Sequence, residues 1–198
     1  IKDQNIKKSR EIYFNELKIR LGNISNSNKK IIIDKMPLNF IYARNIYKIF
    51  PNAKIIFCLR HPLDCILSCY IQNFTINEAM INCLDLKKTA SLYDKSLTLF
   101  NSYSEIPNKF IHYTKYENLV DNVKSETSKI LKFVHAESDE KIFNFYLNSK
   151  NKERIRTASY KQVIKPIYLE SKYKWQKYEK NLNEKIPITK KWIDFYRY

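Results

Sequence analysis

Glycine is almost missing from this chain: Gly22 is the only one among 198 residues. That excludes the G-x-G-x-x-G dinucleotide fingerprint and the Walker-type G-x-x-x-x-G-K-[ST] loop, both of which place glycines where backbone N–H groups close on phosphate. A kinase or dehydrogenase reading therefore has no phosphate cradle. Long apolar runs are missing too. None approaches the ~20 residues of a bilayer span and no secretory leader with a cleavage site is recognisable, so no membrane span is expected; the cytoplasmic setting expected for the protein rests on its reduced thiols. Cysteine is confined to Cys58, Cys65, Cys69 and Cys83. Cys65 and Cys69 would share a helix face, but no second Cys or His pair completes a zinc set, so reduced, buried thiols and no metal are expected. His61, His112 and His135 belong to no Ser/His/Asp arrangement and read as structural.

Acidic residues are outnumbered: 36 Lys and Arg stand against 20 Asp and Glu, a net charge of +16. The excess points to an anionic partner without separating a nucleotide, a nucleic acid, an acidic peptide and a membrane surface. Hydrophobic residues make up 44% and aromatics 14%, enough for a packed core and too much for a disordered chain. The length fits a single domain, and neither a repeat nor a Gly/Ser linker divides it.

Along the chain, "KKSREIYFNELKIRL" (7–21) has helical spacing, with Gly22 as its stop. "KKIIIDKMP" predicts a short buried strand ending at Lys35, and "LNFIYARNIYKIF" an amphipathic helix closed by Pro51. "AKIIFCLR" predicts a second buried strand, and "PLDCILSCYIQNF" a helix with Pro62 in its first turn, where a missing N–H costs nothing. A longer helix follows over 85–103, then a third strand and turn in "KFIHYTKYENLV". "VKSETSKILKFVH" and "SDEKIFNFYLNS" read as helices, the second capped by its serine. From Arg154 on, a loop leads to a short terminal helix. Strand and helix alternating at this spacing imply an α/β fold with a parallel sheet.

In such sheets ligands bind beyond the carboxyl ends of the strands. Two strands are expected to end on cations, Lys35 and Arg60. Arginine offers forked donors that match phosphate oxygens, and lysine a mobile point charge. Ser68, on the helix after Arg60, can add a neutral donor to the same anion.

"DKMPLNFIYARNIYKIFPNAKIIFCLRHPLDCILSCYIQNF" resembles the core of sulfotransferases, in particular the protein-tyrosine sulfotransferase group and its bacterial relatives. "KYENLV" resembles the tyrosine and acidic-Leu-Val turn of that family, and "RTASYKQVIKPIYLESKYKWQKYEKNL" its late basic segment. The three motifs run in order over about residues 33–182. The resemblance implies a P-loop NTPase-like parallel sheet flanked by helices, with 3′-phosphoadenylyl sulfate as sulfuryl donor and co-substrate, and a hydroxyl acceptor such as an acidic, tyrosine-containing peptide. It implies that Arg60 and Ser68 hold the donor's 3′-phosphate and that Tyr116 contacts the nucleotide. The run from Ser159 to Tyr168, with Gln162 and Lys165, would close over the adenylyl end, and Lys174 would be a later phosphate contact. Lys35 and Ser159 would stabilise charge at the transferring sulfuryl group. That role agrees with the chemistry of in-line transfer, where charge builds on the leaving oxygen.

The match has gaps. Nothing in residues 1–32 resembles the family's first strand and its Gly/Ser/Thr phosphosulfate loop, and neither Glu11 nor Glu16 sits in a motif for the general base. An often-basic family position falls on Gln72. The expectation is one domain over 1–198, either an N-terminally incomplete sulfotransferase or a degenerate relative. As it stands, the chain is expected to lack the phosphosulfate loop and general base that activity needs. The competing reading is a non-catalytic nucleotide- or RNA-binding module, in which the tyrosines of "YLESKYKWQKYEK" stack on bases. An amphipathic tail with its rings packed inward explains that stretch more simply, so nucleic acid is not the expected partner.

Overall fold

A computed structural model describes residues 3–22, 31–144, 146 and 166–198. The chain divides into two compact units, Ile1–Ile55 with Leu99–Ile111, and Ile56–Thr98 with His112–Tyr198.

In the first unit, α1 (Asp3–Leu21) ends with Lys18 and Arg20 in its last turn, where cations suit the helix dipole. It stops at Gly22, whose φ of +71° is open to glycine without a Cβ clash. Tyr13 and Phe14 meet Phe50 edge-on, with centroids 5.1 Å and 6.0 Å away, and Arg10 Nε donates to the Ile49 carbonyl. Phe50 directly follows α2 (Ala43–Ile49), which a 3-10 turn at Asn39–Tyr42 introduces. Phe40 packs on Phe100 at 6.0 Å, and the Tyr103 hydroxyl donates to the Ile41 carbonyl.

The predicted strand ending at Lys35 does not form. Residues 31–36 have no regular structure, and Ile31, Ile32 and Ile33 are exposed. An apolar run becomes a strand only when a neighbour takes up its N–H and C=O groups, and the described ladder contains only two other strands.

Those strands, β1 (Ile55–Leu59) and β2 (Ile111–Lys115), pair in parallel. Their pairing, apart from each strand's first residue, lies in the second unit. In β1, Phe57 and Leu59 are buried while Ile56 and Cys58 are exposed. The strand is therefore half-buried instead of covered on both faces, and Cys58 is not the interior thiol expected of it. The cysteines are all free, with Cys83 buried and Cys65 and Cys69 half-buried.

β1 leads into α3 (Pro62–Ile71), where Pro62 fills the first turn and Asp64 is its acid. Leu63, Ile66 and Leu67 form one stripe of α3 and pack with Ala90, Leu182 and Ile186 into the core. Each large aliphatic side chain sealed there contributes roughly 1.5–3 kcal/mol. Ala90 comes from α4 (Leu86–Asn101). The Asp85 carboxylate caps α4 by accepting the Lys88 N–H at 2.8 Å.

After β2 come α5 (Tyr116–Asp121) and α6 (Val123–Val134). The Asn122 side chain caps α6 by accepting the Ser125 N–H at 3.2 Å. Of the helix expected over 138–149, the described part is a 3-10 turn, Glu140–Asn144. Asp139, not Ser138, supplies its capping oxygen, to the Lys141 N–H at 2.8 Å.

The terminal segment forms α7 (Glu179–Lys185) and α8 (Lys190–Tyr196). Trp192 of α8 donates its indole N–H to Asp94 of α4 at 2.8 Å. No described helix is long and apolar enough to cross a membrane.

Candidate functional site

Because β1 and β2 run parallel, the residues that follow them leave the sheet at the same end: Arg60 after β1 and Tyr116 after β2. The Arg60 guanidinium lies 5.1 Å from the centre of the Tyr116 ring, in cation–π range. Its Nη2 donates to the Ser171 carbonyl at 2.6 Å and stands 3.9 Å from Asp64 Oδ2. Its Nε is buried and has no hydrogen-bond partner among the described residues. A guanidinium keeps its charge at any physiological pH, so a partnerless buried N–H on it is an unfilled place for an acceptor.

The groups around Arg60 are themselves buried and polar. Glu117, the second residue of α5, is 3% exposed and accepts the His61 backbone N–H at 2.9 Å through Oε1. That bond ties the turn between β1 and α3 to the start of α5. The His61 ring stacks on Trp175 with centroids 4.6 Å apart and planes 11° apart. Tyr198 meets it edge-on at 5.3 Å and Tyr173 at 6.1 Å. Burial holds the His61 pKa down at about 4, against the upward pull of Glu117 and with a smaller downward push from Arg60. Burial also raises the Tyr198 phenol, and the Glu117 carboxylate beside it adds to the rise. Lys115 fixes this terminus on β2 by donating to the Arg197 carbonyl at 2.9 Å, with its Nζ 4.3 Å from the Tyr198 ring centre.

Asp64 lies in the first turn of α3 and is fully buried. Its Oδ1 accepts the Trp175 N–H at 2.8 Å. Burial raises its pKa, while hydrogen bonding from the Trp175 and Tyr173 backbone and the charge of Arg60 draw it back down. The backbone here is unusual. Tyr173 has φ +53°, a left-handed conformation that costs a residue with a Cβ about 1–2 kcal/mol. Lys172, next to it, forms an ion pair with Asp121 at the end of α5.

Of the residues singled out in the sequence, Arg60 and Tyr116 are thus brought together. Ser68 is half-buried on α3, one turn past Asp64, and Gln72 ends that helix. Lys174 opens the 3-10 turn Lys174–Tyr178 and is exposed, between the inward-facing Trp175 and the left-handed Tyr173. Lys35 belongs to the first unit and is exposed in the irregular segment at 31–36. Ser159, Gln162 and Lys165 lie outside the described residues. Among the described residues no group of His, Cys, Asp and Glu is arranged to hold a metal ion.

Sequence reasoning missed Asp64, Glu117, Ser171 and Trp175, and took His61 as an isolated histidine. Glu117 was visible as the acid of "KYENLV". Asp64 carried a faint signal, since an acid in a first helical turn usually needs no explanation beyond the dipole.

The sequence model of the sulfotransferase family matches residues 4–140. An uncharacterized protein of Aquifex aeolicus (strain VF5) is 30% identical over 187 residues, which cover 94% of this chain and 24% of that protein. The chain thus spans about a quarter of that relative's length.

Proposed function

The chain belongs to the sulfotransferase family, and on that premise we propose that it serves sulfuryl transfer from 3′-phosphoadenylyl sulfate to a hydroxyl acceptor. The observation that carries the donor assignment is Arg60: a cation with a buried N–H that meets no acceptor among the described residues, lying against the Tyr116 ring where the strands end. A phosphate accepts from such a fork, and the ring offers a flat face to the nucleotide. In this reading Arg60 and Ser68 hold the 3′-phosphate and Lys174 adds charge. Tyr116 contacts the nucleotide, and Ser159, Gln162 and Lys165 belong to the loop over its adenylyl end. Lys35 and Ser159 offset the charge that builds as transfer proceeds. The acceptor oxygen forms a bond to sulfur as the sulfur–oxygen bond to the donor's phosphate breaks. Adenosine 3′,5′-bisphosphate leaves, and the acceptor proton passes to a base for which we nominate no residue. We place the sheet in the P-loop NTPase-like class, the protein in the cytoplasm, and the acceptor among acidic tyrosine-containing peptides.

The test is a thermal shift with adenosine 3′,5′-bisphosphate against adenosine 5′-monophosphate and single-stranded RNA. Bisphosphate at about a hundredfold excess over Kd should add ~2.7 kcal/mol, worth roughly 5–10 °C at this chain length. Arg60→Lys should remove most of the shift, and the monophosphate should give little. Tight, steeply salt-dependent RNA binding with no bisphosphate effect would install the binding-module reading instead. Against that reading, the ring at the centre of the basic tail, Trp175, stacks on His61 and packs against the core.

A further inference from the structure

We propose that Asp64 is a positioning residue of the donor site, which holds the Arg60 guanidinium and the turn at Tyr173–Trp175 in one arrangement without touching the donor itself. The inference rests on the sulfotransferase reading above. Asp64 does two things at once: Oδ1 caps the Trp175 N–H at 2.8 Å, and Oδ2 stands 3.9 Å from Arg60 Nη2. The first task alone does not explain an aspartate, because a neutral asparagine or serine oxygen would cap the same N–H. A buried carboxylate, with an oxygen that meets no close donor among the described residues, is a costly way to hold the backbone at Tyr173 and Trp175 alone. Its charge is accounted for by Arg60.

The distance matters as much as the sign. At 3.9 Å the carboxylate is too far for a hydrogen bond, so it orients the guanidinium without occupying it. The Nε–H and the outer Nη2 of an arginine form one side-on edge. Here the Ser171 carbonyl takes Nη2, and Nε has no partner among the described residues. A carbonyl is a neutral acceptor and a phosphate a charged one, so a phosphate arriving at this edge meets a weaker competitor than a bound carboxylate would be. Because the same carboxylate fixes Trp175, it also sets where the Ser171 carbonyl lies relative to that edge. The grip on the 3′-phosphate therefore depends on Asp64 through Arg60.

Calorimetric titration of the full chain with adenosine 3′,5′-bisphosphate and with adenosine 5′-monophosphate tests this. Asp64→Asn keeps the shape and an oxygen for Trp175 while removing the charge. It should weaken the bisphosphate at least tenfold and the monophosphate less than twofold. In an Arg60→Lys background the same substitution should add no further loss, which a merely structural role would not predict. Should Asp64→Asn fail to fold, Asp64→Ser is measured in its place. Undiminished preference for the bisphosphate in the Asp64 variant, equal loss for both ligands, or full additivity with Arg60→Lys would overturn the inference while leaving the donor reading intact. A wild-type chain that does not prefer the bisphosphate defeats the donor reading, and the inference with it.

Discussion

His61 is 5% exposed, and its neutral ring lies flat on Trp175 with Glu117, Arg60, Tyr173 and Tyr198 around it. Folded, it titrates at about 4; unfolded, near 6.5. As pH falls the unfolded chain takes up this proton first. The stability His61 contributes is whole above about pH 6.5 and is lost as pH drops toward 4, on the order of 3 kcal/mol in all. Asp64 works the other way. Its carboxyl is raised by burial, so acid favours the folded form as pH falls through its folded pKa. Melting temperature should fall between pH 6.5 and 4.5 in the wild type and fall less in His61→Phe, which keeps the stacking and has no proton to gain. Superimposable curves would show that His61 is not the group responsible. The place of Arg60 directly after β1 was legible in the sequence because a cation at a strand end is a local pattern. The contacts of His61 and Asp64 were not, because they depend on Trp175, and the hydrogen bond from Trp175 to Asp64 spans 111 positions.

At the scale of elements, α6 ends on His135, an exposed residue in the left-handed conformation at φ 57°. Its N–H donates to the Lys132 carbonyl at 3.3 Å, and that of Ala136 to the Leu131 carbonyl at 2.9 Å, the paired bonds that usually close a helix on glycine. His135→Gly keeps those bonds and removes the Cβ clash. It should stabilise by about 1 kcal/mol, read as a rise of roughly 2–4 °C in Tm. The helices containing Leu17, Tyr47, Leu63, Tyr93 and Leu131 were all legible, since the 3.6-residue period of apolar positions is written locally. The stretch at 31–35 misled because a run of isoleucines states a need for burial and does not say whether a partner strand is there. "SDEKIFNFYLNS" had its cap assigned one residue too early, to Ser138, because neighbouring serine and aspartate offer the same oxygen chemistry.

Across the whole molecule the net charge of +16 acts at long range. Exposed lysines attract anions over about a Debye length, ~8 Å at physiological ionic strength. An acidic tyrosine peptide should therefore associate faster than a neutral one of the same length, and the advantage should shrink as salt rises from 50 to 500 mM in stopped-flow measurements. Equal, salt-independent rates would leave the charge with no steering role. The contacts around Arg60 reach far along the chain: Arg60 to Ser171 and Asp64 to Trp175 each join positions 111 apart. A ribosome delivers β1 and α3 long before either partner exists. During that interval Asp64 has nothing to cap, and the arginine beside it has no carbonyl to lean on. Closing so long a loop is entropically costly, and Leu182 and Ile186 of the core are synthesised later still, so the contacts of Arg60 and Asp64 and the core around α3 both wait for the same late segment of the chain.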